Sequence, residues 1–363
     1  MTIVNLHVGT FKTGTSYLQT VLASSKQQLA ETGVLWPGRK WGDQVAATKG
    51  LLRGKRSSKV DAWNSLVDEV DAWHGNSVII SMETLSLASP EAVQRAAKAL
   101  SAHHVRVILT ARDIGRVLPA QWQESVQNGK TWRYRDYLSA VVDGNAGDRA
   151  FDHFWSKHDW AHILRTWSRV ATDAELVLVT VPPSGAPRGL LWERFSEAVG
   201  IDPAAYDAVH TVNESLGATS AEVMRNVSVA LEARDFHSQI ARVVKKTLAK
   251  SILTSRKRVE PTLVLPHALE EWVERRTEEL IADLSTLSMS VVGDLADLRP
   301  VFPGPRPGET EDPSSLPADQ LMETAGFAIA ELCDILADND LAPRGYGPDD
   351  STPRRHRQRA TES

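Results

Sequence analysis

Cysteine is almost missing from this chain: Cys333 stands alone in 363 residues. That excludes an intrachain disulfide framework and a cysteine-rich zinc site, and it suits a reducing compartment. Cys333 falls in the helical pattern of residues 329–336, where it is expected to act as a small apolar side chain. Long apolar runs are missing as well, since none approaches the ~20 residues of a membrane span. Residues 3–8 read as a strand without the basic region and apolar core of a secretory signal. The expectation is a cytoplasmic protein with no anchor. There is no basic surplus: 41 Lys+Arg stand against 46 Asp+Glu, for a net charge of −5. Displacing counterions from nucleic acid needs such a surplus, so nucleic acid is not expected as a partner. No internal repeat of fixed period is found. What the chain does have is 42% hydrophobic residues, enough for a sizeable core. Its 11 tryptophans mostly stand among charged residues, as at Trp73 and Trp192, which predicts half-buried anchors.

Short β-branched runs at 3–8, 77–81, 105–110 and 176–181 alternate with longer stretches of helical period. This pattern predicts an α/β fold with a central parallel sheet flanked by helices. A helix is expected from Ser89, where a capping serine is followed by Pro90 and Glu91. Residues 218–284 read as helical throughout, a flank carried by the sheet. The Pro/Gly-rich run 301–317 reads as a linker and 318–337 as one further helix. From 338 to 363 the chain is polar, with Arg354, Arg355, Arg357 and Arg359, and reads as a disordered basic tail. The division expected is thus 1–300 for the α/β domain, 301–337 for linker and helix, and 338–363 for the tail.

The chemistry concentrates where the first strand ends. Gly9, Thr10, Phe11, Lys12, Thr13, Gly14, Thr15 and Ser16 follow a strand and open an amphipathic stretch. Glycines let successive N–H groups turn inward, and the new helix offers its unpaired amides and positive dipole end to an anion. Gly9 and Gly14 have the spacing of the triphosphatase loop GxxxxGK[ST], but Thr15 stands where lysine should be. Lysine is found instead at Lys12, which disfavours the magnesium-triphosphate chemistry served by the usual arrangement.

The segment LHVGTFKTGTSYLQ, residues 6–19, resembles the 5′-phosphosulfate loop of sulfotransferases that use 3′-phosphoadenosine 5′-phosphosulfate, particularly bacterial members. The resemblance spans about residues 1–300, with weaker agreement at 190–201 and 291–300, and only the first loop is sharply diagnostic. It implies a sulfotransferase-like sheet, with Lys12 meeting the 5′-phosphate and bridging oxygen of the donor and with Gly9, Thr13, Gly14, Thr15 and Ser16 wrapping the phosphate. Lys12 would stabilise charge on the departing phosphate, with no metal. The family also carries an arginine after a later strand. Arg112 matches it as a ligand for the 3′-phosphate, suited by its bidentate geometry. Many members place a serine eight residues further on, where this chain has Ala120. Arg116, one helical turn past Arg112, is the candidate substitute. The late basic stretch of Arg242, Lys245, Lys246, Lys250, Arg256, Lys257 and Arg258 lacks the family's following glycine and reads as a solvated helix face.

Sulfuryl transfer to a hydroxyl or amine needs a base, and Glu83, just after the second strand, resembles a glutamate of carbohydrate sulfotransferases. His103, His104, His153, His158 and His162 compete for the role, while His7 inside the first strand is expected to be a satisfied core histidine. The acceptor class implied is a small molecule, lipid or glycan; oligomeric state is left open. Two other functions fit the same residues. One is a phosphotransferase or hydrolase, with Glu83 or Asp113 holding magnesium; the other is a non-catalytic nucleotide-binding protein.

Overall fold

The computed structural model describes residues 2–54, 60–171, 173–206, 215–234 and 244–338. The four expected strands become β1 (Ile3–Gly9), β3 (Ser77–Ser81), β4 (His104–Ala111) and β5 (Glu175–Thr180) of one larger sheet. Two short strands close its edges, β2 (Val34–Leu35) and β7 (Ser290–Val292). The order is β2-β3-β1-β4-β5-β7, and every neighbouring pair is parallel. The edge strands are only two and three residues long, too short to carry a periodicity that sequence reading detects.

Each parallel strand needs a crossover, and the crossovers cover both faces. Val4, Leu6 and Val8 of β1 point into the larger core with Val78, Ile80, Val107 and Leu109. That face is covered by α3 (Trp41–Arg53), α4 (Val60–Asp71), α5 (Pro90–Ala99), α6 (Ile114–Gln127), α7 (Tyr134–Asp143), α8 (Arg149–His158) and α9 (Trp160–Trp167). The opposite face packs Ile79, Ile108, Val177 and Val179 against Leu18 and Leu22 of α1 (Thr15–Ser24), Leu29 of α2 (Lys26–Glu31) and Phe195 of α10 (Leu190–Val199). The expected start of α5 is present: the Ser89 hydroxyl accepts from the Ala92 amide at 3.3 Å, with Pro90 at the first helical position.

Residues 218–284 are not helical throughout. α11 (Ala218–Glu232) is followed, from Val244, by a π-helical stretch (Val244–Ile252), a 3-10 turn (Leu253–Arg258) and strand β6 (Thr262–Leu263); helix resumes as α12 (Glu270–Leu284). Pro261 and Pro266 bracket the break, because each lacks an N–H and pushes the preceding residue out of helical geometry. The run 301–317 does more than connect. Its strand β8 (Glu309–Thr310) pairs in parallel with β6, and Phe302 packs against the main core. The further helix is α13 (Ala318–Asp338); the tail beyond it lies outside the described residues.

Two composition readings change. Trp36, Trp63, Trp122, Trp155, Trp160, Trp167 and Trp192 are buried rather than half-buried, and four of these find carbonyl acceptors for their N–H groups. In those four the indole's one donor is satisfied within the core, whereas the Trp63 Nε1 is buried without a partner. Cys333 is exposed on α13 rather than packed. No helix among the described residues is long and apolar enough to cross a membrane.

Candidate active site at the C-terminal edge of the sheet

β1 has β3 on one side and β4 on the other, so strand order reverses at its C-terminal end and a crevice opens there. The loop 9–16 turns into it. The pairing of β1 with β4 slips between His7 and Gly9, and Gly9 has φ 94°. A Cβ on Gly9 would lie 2.9 Å from the Glu83 Cα, so glycine allows the loop and Glu83 to approach. The Thr10 amide donates to the Thr110 carbonyl at 2.7 Å, tying the loop to β4. Lys12 takes φ 61°, the one positive φ of a non-glycine among the described residues. Gly14, at φ 82°, caps α1, and no side chain caps that helix, which leaves first-turn amides facing the crevice.

The two threonines brace the loop from inside. The Thr13 hydroxyl donates to the Thr10 carbonyl at 2.7 Å and lies 2.6 Å from the Thr110 hydroxyl; Thr15 also donates to the Thr10 carbonyl, at 3.3 Å. Ser16 is exposed. Behind them His7 is the satisfied core histidine expected, 2.7 Å from the Ser81 hydroxyl and 3.1 Å from that of Thr110. Burial drives its pKa down to about 3, so the ring is neutral.

Glu83 opens a 3-10 turn just after β3, within electrostatic reach of Lys12. Burial raises its pKa above the ordinary carboxylate range; the Gln19 amide, donating to Oε2 at 3.1 Å, opposes that rise. Gln19 is itself held by the indole of Trp41 at 2.9 Å and donates to the Ser81 carbonyl at 2.9 Å. Opposite, α6 brings Glu124 to within 3.1 Å of the Lys12 ammonium. α8 adds Lys157, its ammonium 2.8 Å from His153 Nε2 and 4.9 Å from the centre of the Phe11 ring. Of the competing histidines, His153 joins this group, and His158 is buried beside Gln121 at 3.3 Å. His103 pairs with Asp71 and His104 starts β4 at the far end of the sheet; His162 is exposed on α9.

Arg112, the residue after β4, links the loop to a second compartment. Its Nη1 donates to the Lys12 carbonyl at 3.3 Å, and the residue lines a cavity of about 350 Å³ with Arg116, Ala120, Lys257, Leu265 and Phe302. Its Nε is buried without a partner, and burial lowers its pKa to about 10, with Arg116 adding to the effect. Arg116 lines the same cavity but is largely committed, to the Asp113 carboxylate and to the Pro182 carbonyl at 3.2 Å. Lys257 was expected on a solvated face; the break before β6 turns it toward the cavity instead. Arg256 is held apart by Glu260 at 3.2 Å and Glu323 at 2.9 Å. Among the described residues no group of three or more His, Cys, Asp or Glu side chains is placed to hold a metal ion.

Gly9, Lys12, Glu83 and Arg112, each marked by its sequence context, meet at one place, and Gln19, Glu124 and Lys157, which carry no such clear mark, join them there. Gln19 had a faint signal, lying one helical turn after Thr15 on α1. Glu124 and Lys157 had none, because α6 and α8 are far from the loop in sequence.

These features define a parallel α/β protein with a glycine loop at its topological switch point. Compared with known proteins, the chain matches no family model and no curated protein. Among solved structures, the crystal structure of a sulfotransferase from Alicyclobacillus acidocaldarius covers 66% of this chain and 98% of its own, at 14% identity and a TM-score of 0.33. Likeness that distant carries no weight for the activity.

Proposed function

We propose that the chain is a sulfotransferase that moves a sulfuryl group from 3′-phosphoadenosine 5′-phosphosulfate to a hydroxyl or amine of a small molecule, lipid or glycan. The observation that carries this reading is Arg112, which touches the Lys12 carbonyl and opens on the 350 Å³ cavity. A donor with phosphates at two ends needs such a bridge. Its 5′ end suits the loop amides and Lys12; its 3′-phosphate suits Arg112, whose orphaned Nε is a donor awaiting an acceptor, with Lys257 in place of the hydroxyl absent at Ala120. Phe302 and Leu265 supply apolar surface for a base. In the reaction the acceptor's hydroxyl oxygen or amine nitrogen forms a bond to sulfur and its proton passes to Glu83, whose raised pKa suits a base. The bond from sulfur to the bridging oxygen breaks, and the electron pair stays with the phosphate, where Lys12 meets the charge.

The test is calorimetric titration of the full chain with 3′-phosphoadenosine 5′-phosphate, with and without magnesium, beside ATP and a Lys12→Ala variant. Magnesium-independent binding that Lys12→Ala weakens, with ATP binding poorly, is the expected result and justifies an acceptor screen. Preference for ATP with magnesium would replace the reading with phosphoryl chemistry.

A further inference from the structure

Lys157 lies on α8 and is 7% exposed. Among the described residues its ammonium has no carboxylate within 4 Å; its polar partner is His153 Nε2 at 2.8 Å. His153 supplies an acceptor but no counter-charge, since an imidazole is neutral or positive, and burial brings its pKa down to about 4 and keeps it neutral. Glu124 acts on Lys157 through space, yet it is paired with Lys12 at 3.1 Å. Lys130, stacked 5.1 Å over Trp132, adds a further positive charge nearby. A buried ammonium that must share its one nearby carboxylate, Glu124, with Lys12 is costly, and a ligand anion would relieve that cost. Burial lowers the Lys157 pKa to about 8, with Lys12 and Lys130 adding to the fall and Glu124 opposing it.

The location narrows the anion's origin. Lys157 is not among the residues lining the 350 Å³ cavity, and its ammonium sits over Phe11, the loop residue beside Lys12. We propose that Lys157 receives an anionic group carried by the acceptor, a carboxylate, sulfate ester or phosphate ester, seated beside Phe11 while the acceptor's hydroxyl or amine faces Glu83. This rests on the sulfotransferase reading and narrows it to acidic acceptors.

Sodium sulfate serves as the probe, titrated into the full chain saturated with 3′-phosphoadenosine 5′-phosphate and, separately, with the sulfated donor. The expected result is sulfate binding in both complexes that Lys157→Met weakens at least about tenfold and Lys157→Arg, which keeps the charge, largely preserves. Nucleotide affinity should be the same in all three proteins. In the parent chain, the Cε resonance of Lys157 followed against pH should move its midpoint upward when sulfate is added, a readout that needs no variant. Sulfate binding indifferent to Lys157 overturns the proposal. So does sulfate that the sulfated donor expels, because Lys157 would then face the donor's own sulfuryl group. Failure of the nucleotide to bind sinks the sulfotransferase reading instead, so the two failures are distinguishable.

Discussion

The Arg112 guanidinium donates to the backbone carbonyl of Lys12 across 3.3 Å, joining the end of β4 to the loop after β1. One side chain therefore holds the loop in shape and reaches the cavity beside it. Arg112→Ala should weaken binding of 3′-phosphoadenosine 5′-phosphate by about tenfold to a hundredfold, the value of a charge-assisted bond at ~1.5–3 kcal/mol. Arg112→Lys should recover only part of that, because an ammonium cannot address the loop carbonyl and a phosphate in parallel. Calorimetry on the two variants checks both statements.

Glu83→Gln should leave nucleotide affinity unchanged and lower kcat by roughly 10²–10⁴-fold, the usual worth of a positioned base. A base works deprotonated, so activity should rise with pH through the pKa of Glu83, on an acid limb above the ordinary carboxylate range. The Gln19 amide favours the charged form from 3.1 Å. Gln19→Ala should therefore move the acid limb further up, as a pH–rate profile would record.

Gly9→Ala forces a Cβ to within 2.9 Å of the Glu83 Cα at a backbone φ of 94°. The expected loss of stability is about 1–3 kcal/mol, measurable by urea denaturation. Activity should fall more than stability accounts for, since the atoms that must give way belong to the proposed base.

Unfolded, a histidine takes up its proton near 6.5; folded, His7 is held at about 3 by burial. Between those values the unfolded chain binds the extra proton. Stability from His7 is thus fully present above 6.5 and falls as pH drops through the window, by up to about 1.4 kcal/mol per pH unit. His7→Asn cannot gain that proton, and its denaturation free energy should fall less steeply with acid. It should also start lower, because the hydroxyls of Ser81 and Thr110 lose a shared partner.

The strands 3–8, 77–81, 105–110 and 176–181 were legible because each is a short β-branched run buried on both faces, a pattern set within the segment itself. The loop was legible for the same reason: glycine spacing, strand and helix lie within 20 residues. Ser89 and Pro90 announced their helix by local capping chemistry. Sequence could not show that Glu124 reaches Lys12, or that the Lys157 ammonium sits over the Phe11 ring. It also hid the placement of Lys257 on the cavity lining, beside residues 301–305 that come some 45 residues later in the chain.

By itself, then, the sequence determined a parallel α/β sheet, the glycine loop at its edge and the lysine within it, all properties of neighbouring residues and their periodicity. Tertiary structure alone decided which charges share a site, how strongly each is desolvated and which lack a partner. Those depend on distances between helices that no local pattern encodes, and on burial, which arises only when the whole core closes around them.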